Sequence, residues 1–193
     1  MFQRPHIKEL RSRIKEPRKH IQVVMGPRQV GKTTLVTQLA KDLDIPSIFI
    51  SADAVAASDH AWHVQQWELA RQRMNTSEHR EFLLIIDEIQ KIANWSETVK
   101  LLWDTDTRES RSLKIILLGS SRLLIQQGLT ESLAGRFEST YMSHWSYTEM
   151  KNAFNWTLDE YIWFGGYPGS ANLITQEERW KNYINQSLIE TSI

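Results

Sequence analysis

The chain has 193 residues, enough for one full domain or for one domain and part of another. Hydrophobic residues make up 41% of it and charged residues 24%, the balance of a globular protein rather than of a disordered or fibrous one. Lys and Arg (23) equal Asp and Glu (23), so net charge supplies no whole-molecule attraction to nucleic acid or to an anionic membrane, and the lack of cysteine excludes disulfides and thiolate metal sites.

The first 19 residues are locally basic. Arg4, Lys8, Arg11, Arg13, Lys15, Arg18 and Lys19 are set against only Glu9 and Glu16. Such a segment reads either as the solvated face of a helix or as a contact for nucleic acid or an acidic partner. Arg4, His6 and Lys8 also interrupt any signal-peptide core. No apolar run approaches the roughly 20 residues of a bilayer span, so a cytoplasmic protein without a membrane partner is expected.

Next comes a short apolar run, Ile21–Met25 ("IQVVM"), and directly after it "GPRQVGKTTL". The spacing G-x-x-x-x-G-K-T, with a strand before and a helix after, is that of a phosphate-binding P-loop. Gly26, Pro27, Arg28, Gln29, Val30 and Gly31 are expected to form the loop that turns around a β-phosphate, its backbone N–H groups (Pro27 has none) pointing inward at the positive end of the following helix. Lys32 brings a charge to the β- and γ-phosphates, Thr33 a hydroxyl ligand for Mg²⁺, and Thr34 a contact to the α-phosphate. Arg28 either touches a phosphate or braces the loop against an acid. Leu35, Leu39 and Leu43 recur every four residues, so 33–43 reads as a helix.

Further apolar runs follow at Ser47–Ala52, Phe82–Asp87 and Lys114–Ser121, with a weaker one at Ser139–Trp145; helical stretches at 62–74 and 95–103 lie between them. Continuous β-branched and leucine-rich runs suit strands buried on both faces, and their alternation with helices implies a doubly wound α/β domain with ligands at the carboxyl ends of the strands. "LLIIDEIQ" ends such a run in two acids. Asp87 is placed to hold Mg²⁺ through its water shell and Glu88 to polarise an attacking water. In "KIILLGSSRLLI", Ser120, with Ser121 next, can orient that water, although the two serines can equally cap the helix 122–128. Arg136, just before the last strand, either stabilises transition-state charge on a neighbouring subunit's nucleotide or pairs locally with Glu131 or Glu138.

From about Ser146 the pattern is helical, with capping-box spacing at Thr157/Glu160 and Thr175/Glu178 and a Gly165, Gly166, Pro168, Gly169 break between the two. The boundaries expected are therefore 1–145 for the nucleotide-binding domain and 146–193 for a helical region. The last helix carries no stop signal, consistent with the front of a longer protein. The eight tryptophans are scattered, which favours packing over base stacking. His60 and His63 lack a nearby third ligand.

Taken together, "GPRQVGKTTL", "LLIIDEIQ", "IILLGSSRLLI", "SLAGRFE" and "YIWFGGYPGS" resemble the prokaryotic AAA-type ATPases whose nucleotide-binding domain precedes a C-terminal domain of unknown function; this chain resembles their N-terminal portion. The resemblance implies an AAA+ P-loop sheet of order 5-1-4-3-2, flanked by helices and followed by a helical lid or the start of a winged-helix region. It also implies Mg·ATP as ligand, turned over to ADP. Two departures stand out: "SADAVAAS" keeps only Asp53 of an acidic cluster usual after the second strand, and "HWSYTEM", with Tyr147 and Glu149, replaces "PLSF.E". The readings that follow are an ATPase, with homo-oligomers among its partners, or a slow-turnover ATP-dependent switch or nucleic-acid-binding regulator. A GTPase is disfavoured by the lack of an N-K-x-D-like base-reading motif, and a small-molecule kinase by Glu88 beside Asp87.

Overall fold

The computed structural model describes residues 2–59, 61–120, 125, 129 and 132–186. His60, Ser121, Glu131 and most of the helix expected over 122–128 lie outside the described residues. Five parallel strands, β1 (Ile21–Met25), β2 (Ser47–Ser51), β3 (Phe82–Asp87), β4 (Leu113–Gly119) and β5 (Phe137–Tyr141), form one sheet in the order β2-β3-β4-β1-β5. This is the expected 5-1-4-3-2 read from the opposite edge. Helices α1 (His6–Lys15), α2 (Lys32–Asp42), α3 (Trp62–Thr76) and α4 (Trp95–Arg108) cover its faces, and α5 (Tyr147–Phe154), α6 (Leu158–Phe164) and α7 (Glu177–Ile184) follow the last strand.

The period of two along a strand explains why the central runs are apolar throughout. In β3, Leu84 and Ile86 join Trp67 of α3 and Val99 of α4 in one core. Leu83 and Ile85 face the other way, into a second core with Ile7 and Leu10 of α1 and Leu35 and Leu39 of α2. The basic N-terminal segment is thus an amphipathic helix with Ile7, Leu10 and Ile14 buried. Much of its charge is satisfied within the chain. Arg11 pairs with Asp42 at 2.5 Å, Arg13 donates to Glu9, and Arg18 donates to the Leu113 and Trp103 carbonyls. Trp67, Trp95, Trp103, Trp145 and Trp156 are buried, as packing residues would be, whereas Trp163 is exposed.

Two local expectations require correction. The fifth strand runs from Phe137 to Tyr141, not from Ser139 to Trp145. Its register is set by β1, with Ile21 opposite Phe137 and Met25 opposite Tyr141, so polar Glu138 and Ser139 are drawn into the ladder. Beyond Met142 the chain is claimed by other partners: the Ser143 carbonyl accepts from Arg4, and the Trp145 indole donates to Val30. The capping box at Thr175 does not form. Thr175 lies in a turn after the 3-10 segment Pro168–Leu173, and α7 begins with Gln176 at its N-cap and no side-chain cap. The box at Thr157/Glu160 does form, and so does one at Ser146/Glu149.

A third, smaller core gathers Trp145, Met150, Trp156 and Ala171. It is tied to the sheet by the Trp145–Val30 and Arg4–Glu149 bonds and is closed internally by a close backbone approach. The Trp145 amide donates to Gly166 at 3.0 Å, and a Cβ on Gly166 would collide with the Trp145 carbonyl. This contact accounts for the glycine in the Gly-Gly-Tyr-Pro turn. No strand occurs among the described residues after Tyr141.

Candidate nucleotide site

Parallel strands bring all their carboxyl ends to one edge. With β1 between β4 and β5, the loop after Met25, the acids after Ile86 and the small residues after Leu118 stand side by side on that edge. A cavity of about 1160 Å³ opens there, lined by Arg28, Gln29, Gly31, Lys32, Thr33, Thr34 and Glu88, with Asp53 and Lys91 on one side.

The loop has the backbone its residues require. Gly26 lies against β5's continuation, where a Cβ would collide with the Met142 carbonyl, and Gly31 occupies the left-handed region (φ 89°) at the N-cap of α2. Gln29 also takes positive φ (61°), alternating with its neighbours to curve the loop. Lys32 is buried, and its ammonium donates to the Gly26 and Pro27 carbonyls at 2.9 and 2.6 Å. Pro27 therefore contributes an acceptor, having no N–H to offer. Burial lowers the Lys32 pKa from its ordinary 10.5, opposed by Glu88 and Asp87 and reinforced by Arg28. Val30 points its side chain into the core; only its backbone belongs to the loop.

The acidic side is equally specific. The Thr33 hydroxyl donates to Asp87 Oδ2 at 2.8 Å, and the Glu88 amide donates to Asp87 Oδ1 at 2.9 Å. Asp87 is buried, and burial raises its pKa, opposed by the Thr33 bond and reinforced by Glu88 and Asp53. A divalent cation would relieve that concentration of negative charge, and the Thr33 hydroxyl and Asp87 carboxylate are oxygen donors of the kind Mg²⁺ takes. Glu88 follows in the left-handed region (φ 52°, ψ 37°). Its Oε2 accepts from the Ser120 hydroxyl at 2.9 Å and from the Gln90 carboxamide.

Arg136 does not join this group. Its carbonyl accepts from the Ile21 amide at the amino end of β1, and its guanidinium forms two hydrogen bonds to Asp104 of α4, at 2.7 and 3.0 Å. That end is a full strand, about 16 Å at ~3.3 Å per residue, from the loop. Among the described residues its acidic partner is Asp104, brought near only by folding, and not Glu138; Glu131 lies outside the described residues.

Several supporting residues carried little sequence signal. The Val30 carbonyl accepts from both the Arg4 guanidinium (3.2 Å) and the Trp145 indole (3.0 Å), and Arg4 is a buried ion partner of Glu149 at 2.8 Å. Glu149 also closes the α5 capping box, a Ser-x-x-Glu pattern legible at "SYTE". Asp53, the one acid left after β2, pairs with Lys91 at 2.6 Å. Tyr183 of α7 donates to the Gln29 side chain.

The Arg4–Glu149 pair yields a stability prediction. Removing one member of a buried pair strands the other, at a cost of about 3–5 kcal/mol, so Arg4→Met is expected to lower the unfolding free energy by that order in urea titration. Burial pushes the Glu149 carboxyl up, but the bonds from Arg4 and Ser146 outweigh it, and its pKa lies below the ordinary 4.5. The pair's contribution is therefore complete above pH 4.5 and is lost as pH falls through the lowered folded value. Glu149→Gln should flatten that acid limb; an unchanged limb would remove Glu149 as its source.

A family model described as "AAA domain" matches residues 18–151. Among solved structures, the Holliday junction branch migration motor RuvB of Thermotoga maritima is similar in fold, with a TM-score of 0.51 and 18% sequence identity over 76% of this chain and 47% of that one. The chain thus spans less than half of that protein's length. No curated protein matches the chain. Among the described residues, no helix is long and apolar enough to cross a membrane.

Proposed function

The chain belongs to the AAA domain family, and from that premise we propose that it binds Mg·ATP at Gly26–Thr34 and hydrolyses it to ADP and phosphate to drive a conformational change. The observation that carries this reading is the convergence of Lys32, the Thr33–Asp87 bond and the Ser120-anchored Glu88 on one strand edge. The closer resemblance, to prokaryotic members with a further C-terminal domain, is part of the proposal and rests on "GPRQVGKTT", "DEIQK" and the Gly-Gly-Tyr-Pro turn.

Loop N–H groups and the α2 terminus receive the phosphates, and the Lys32 ammonium exchanges its carbonyl partners for β- and γ-phosphate oxygens. Thr33 and Asp87 would hold Mg²⁺, whose charge would offset that of the phosphates. Glu88 takes the proton of the attacking water, and Ser120 fixes both that carboxylate and the water's approach.

A switch with slow turnover is favoured by one contact. Gln29 within the loop meets Tyr183 of α7, so a change in loop shape reaches the C-terminal helices directly. Tight ATP retention with negligible turnover would select this reading.

We further propose that Arg136 acts on a neighbouring subunit's nucleotide, leaving Asp104 to do so. Turnover per chain should then steepen with protein concentration, and mixing inactive Lys32→Ala protein with Arg136→Ala protein should restore activity. Concentration-independent turnover with no recovery on mixing would eliminate the action between subunits. With Arg4, Arg11, Arg13 and Arg18 already engaged, nucleic-acid binding rests on the remaining lysines; binding that weakens steeply with salt is its signature.

A further inference from the structure

Glu88 ends a buried strand in a backbone conformation that few non-glycine residues adopt, and its long side chain needs something to aim it. The 3-10 turn Ile89–Lys91 follows at once, closed by the Lys91 amide donating to the Glu88 carbonyl at 3.0 Å and anchored by fully buried Ile89. That turn brings residue 90 back over residue 88. The Gln90 carboxamide N–H₂ donates to Glu88 Oε2, the same oxygen that accepts from Ser120 at 2.9 Å. Two donors on different elements thus fix one carboxylate oxygen, one from the turn after β3 and one from the end of β4.

The other end of the carboxamide is unusual. Gln90 Oε1 is buried and has no hydrogen-bond partner among the described residues. A buried oxygen without a partner is unfavourable, and an apolar side chain would avoid it. The amide at this position is accounted for by its donor end. The space it fills is left by Gly119. Register pairs Ile86 with Leu117, which brings Gly119 level with Glu88 across the β3–β4 seam. A Cβ on Gly119 would stand 2.5 Å from Gln90 Oε1 and 2.7 Å from Ile125.

We propose that Gln90 is the positioning residue for the general base, seated by Gly119 and holding Glu88 at the angle from which it activates water. This rests on the reading of Glu88 as the base. Gln90 itself touches no reacting atom; it acts through Glu88.

The test is steady-state ATP turnover by the full chain with Mg²⁺. Gln90→Ala is expected to lower kcat about 10- to 100-fold while KM for ATP stays within about twofold, as when a reacting group is misaimed and binding is left intact. Gln90→Glu keeps the shape but, when ionised, offers no donor and sets a like charge against Glu88. Its kcat should therefore fall at least as far as that of Gln90→Ala. Gly119→Ala should mimic Gln90→Ala, and the double variant should lose less than the two losses multiplied. Wild-type kcat in Gln90→Ala or in Gln90→Glu overturns the proposal while a dead Glu88→Gln leaves the ATPase reading standing. Wild-type turnover by Glu88→Gln overturns both. If Gln90→Ala fails to fold, the kcat of Gln90→Glu decides.

Discussion

Lys32→Ala is expected to reduce ATP turnover by at least about 100- to 1000-fold, the loss typical when one donor to a developing phosphoryl or oxyanion charge is removed from a preorganised site. The lysine is buried at the head of α2, with its ammonium on the carbonyls of Gly26 and Pro27 and within electrostatic reach of Glu88 and Asp87. Alanine removes the mobile cation without removing the loop's backbone N–H groups. Nucleotide affinity should therefore fall together with turnover, since the charge serves bound and reacting phosphate alike. Fold should persist, because Leu35, Val36 and Leu39 hold α2 on the sheet and Lys32 itself lines a cavity large enough for water to replace its ammonium. Calorimetric titration with Mg·ATP, beside a thermal unfolding curve, separates these effects. Wild-type affinity and turnover in a folded Lys32→Ala protein would remove the loop from the mechanism.

Glu88→Gln is expected to leave binding intact and to block the chemistry. Glutamine has the same length and shape, and its carbonyl can still accept from Ser120 and Gln90, so the β3–β4 edge should remain intact. It cannot take a proton. Turnover should drop by about 100- to 10 000-fold, the usual range for loss of a positioned general base, with ATP affinity within about threefold of wild type because Lys32, Thr33 and Asp87 are untouched. Single-turnover hydrolysis distinguishes a blocked chemical step from slow product release. Equal rates for wild type and Glu88→Gln would end the assignment of Glu88 as base.

The two predictions read different kinds of information. Lys32, Thr33, Asp87 and Glu88 were legible in the chain because each belongs to a short motif whose spacing is dictated by chemistry, and because apolar runs marked the strand ends on which they stand. Ser120 was legible for the same reason, at the end of the run containing Leu117 and Leu118. Its direct bond to Glu88 was not, since the pairing of β3 with β4 joins residues 32 positions apart. Arg136 shows where such reading stops. Glu131 and Glu138 flank it in sequence, but among the described residues, which do not include Glu131, the acid that holds the guanidinium is Asp104 on α4, 32 residues away.

By itself the sequence determined the α/β class, the strand order through its resemblance to the AAA-type ATPases, and the motif residues proposed to meet phosphate and metal, because hydrophobic periodicity and motif spacing are local properties of the chain. Only the tertiary structure decided that Arg4 and Trp145 grip the Val30 carbonyl, that Tyr183 reaches Gln29, and that Gln90 fits over Gly119 to hold Glu88. Each of these is a contact between elements distant in sequence, or depends on one. Their existence depends on how the sheet, its covering helices and the C-terminal turn pack together, a choice made by burial of apolar surface across the whole chain and carried by no single stretch of it.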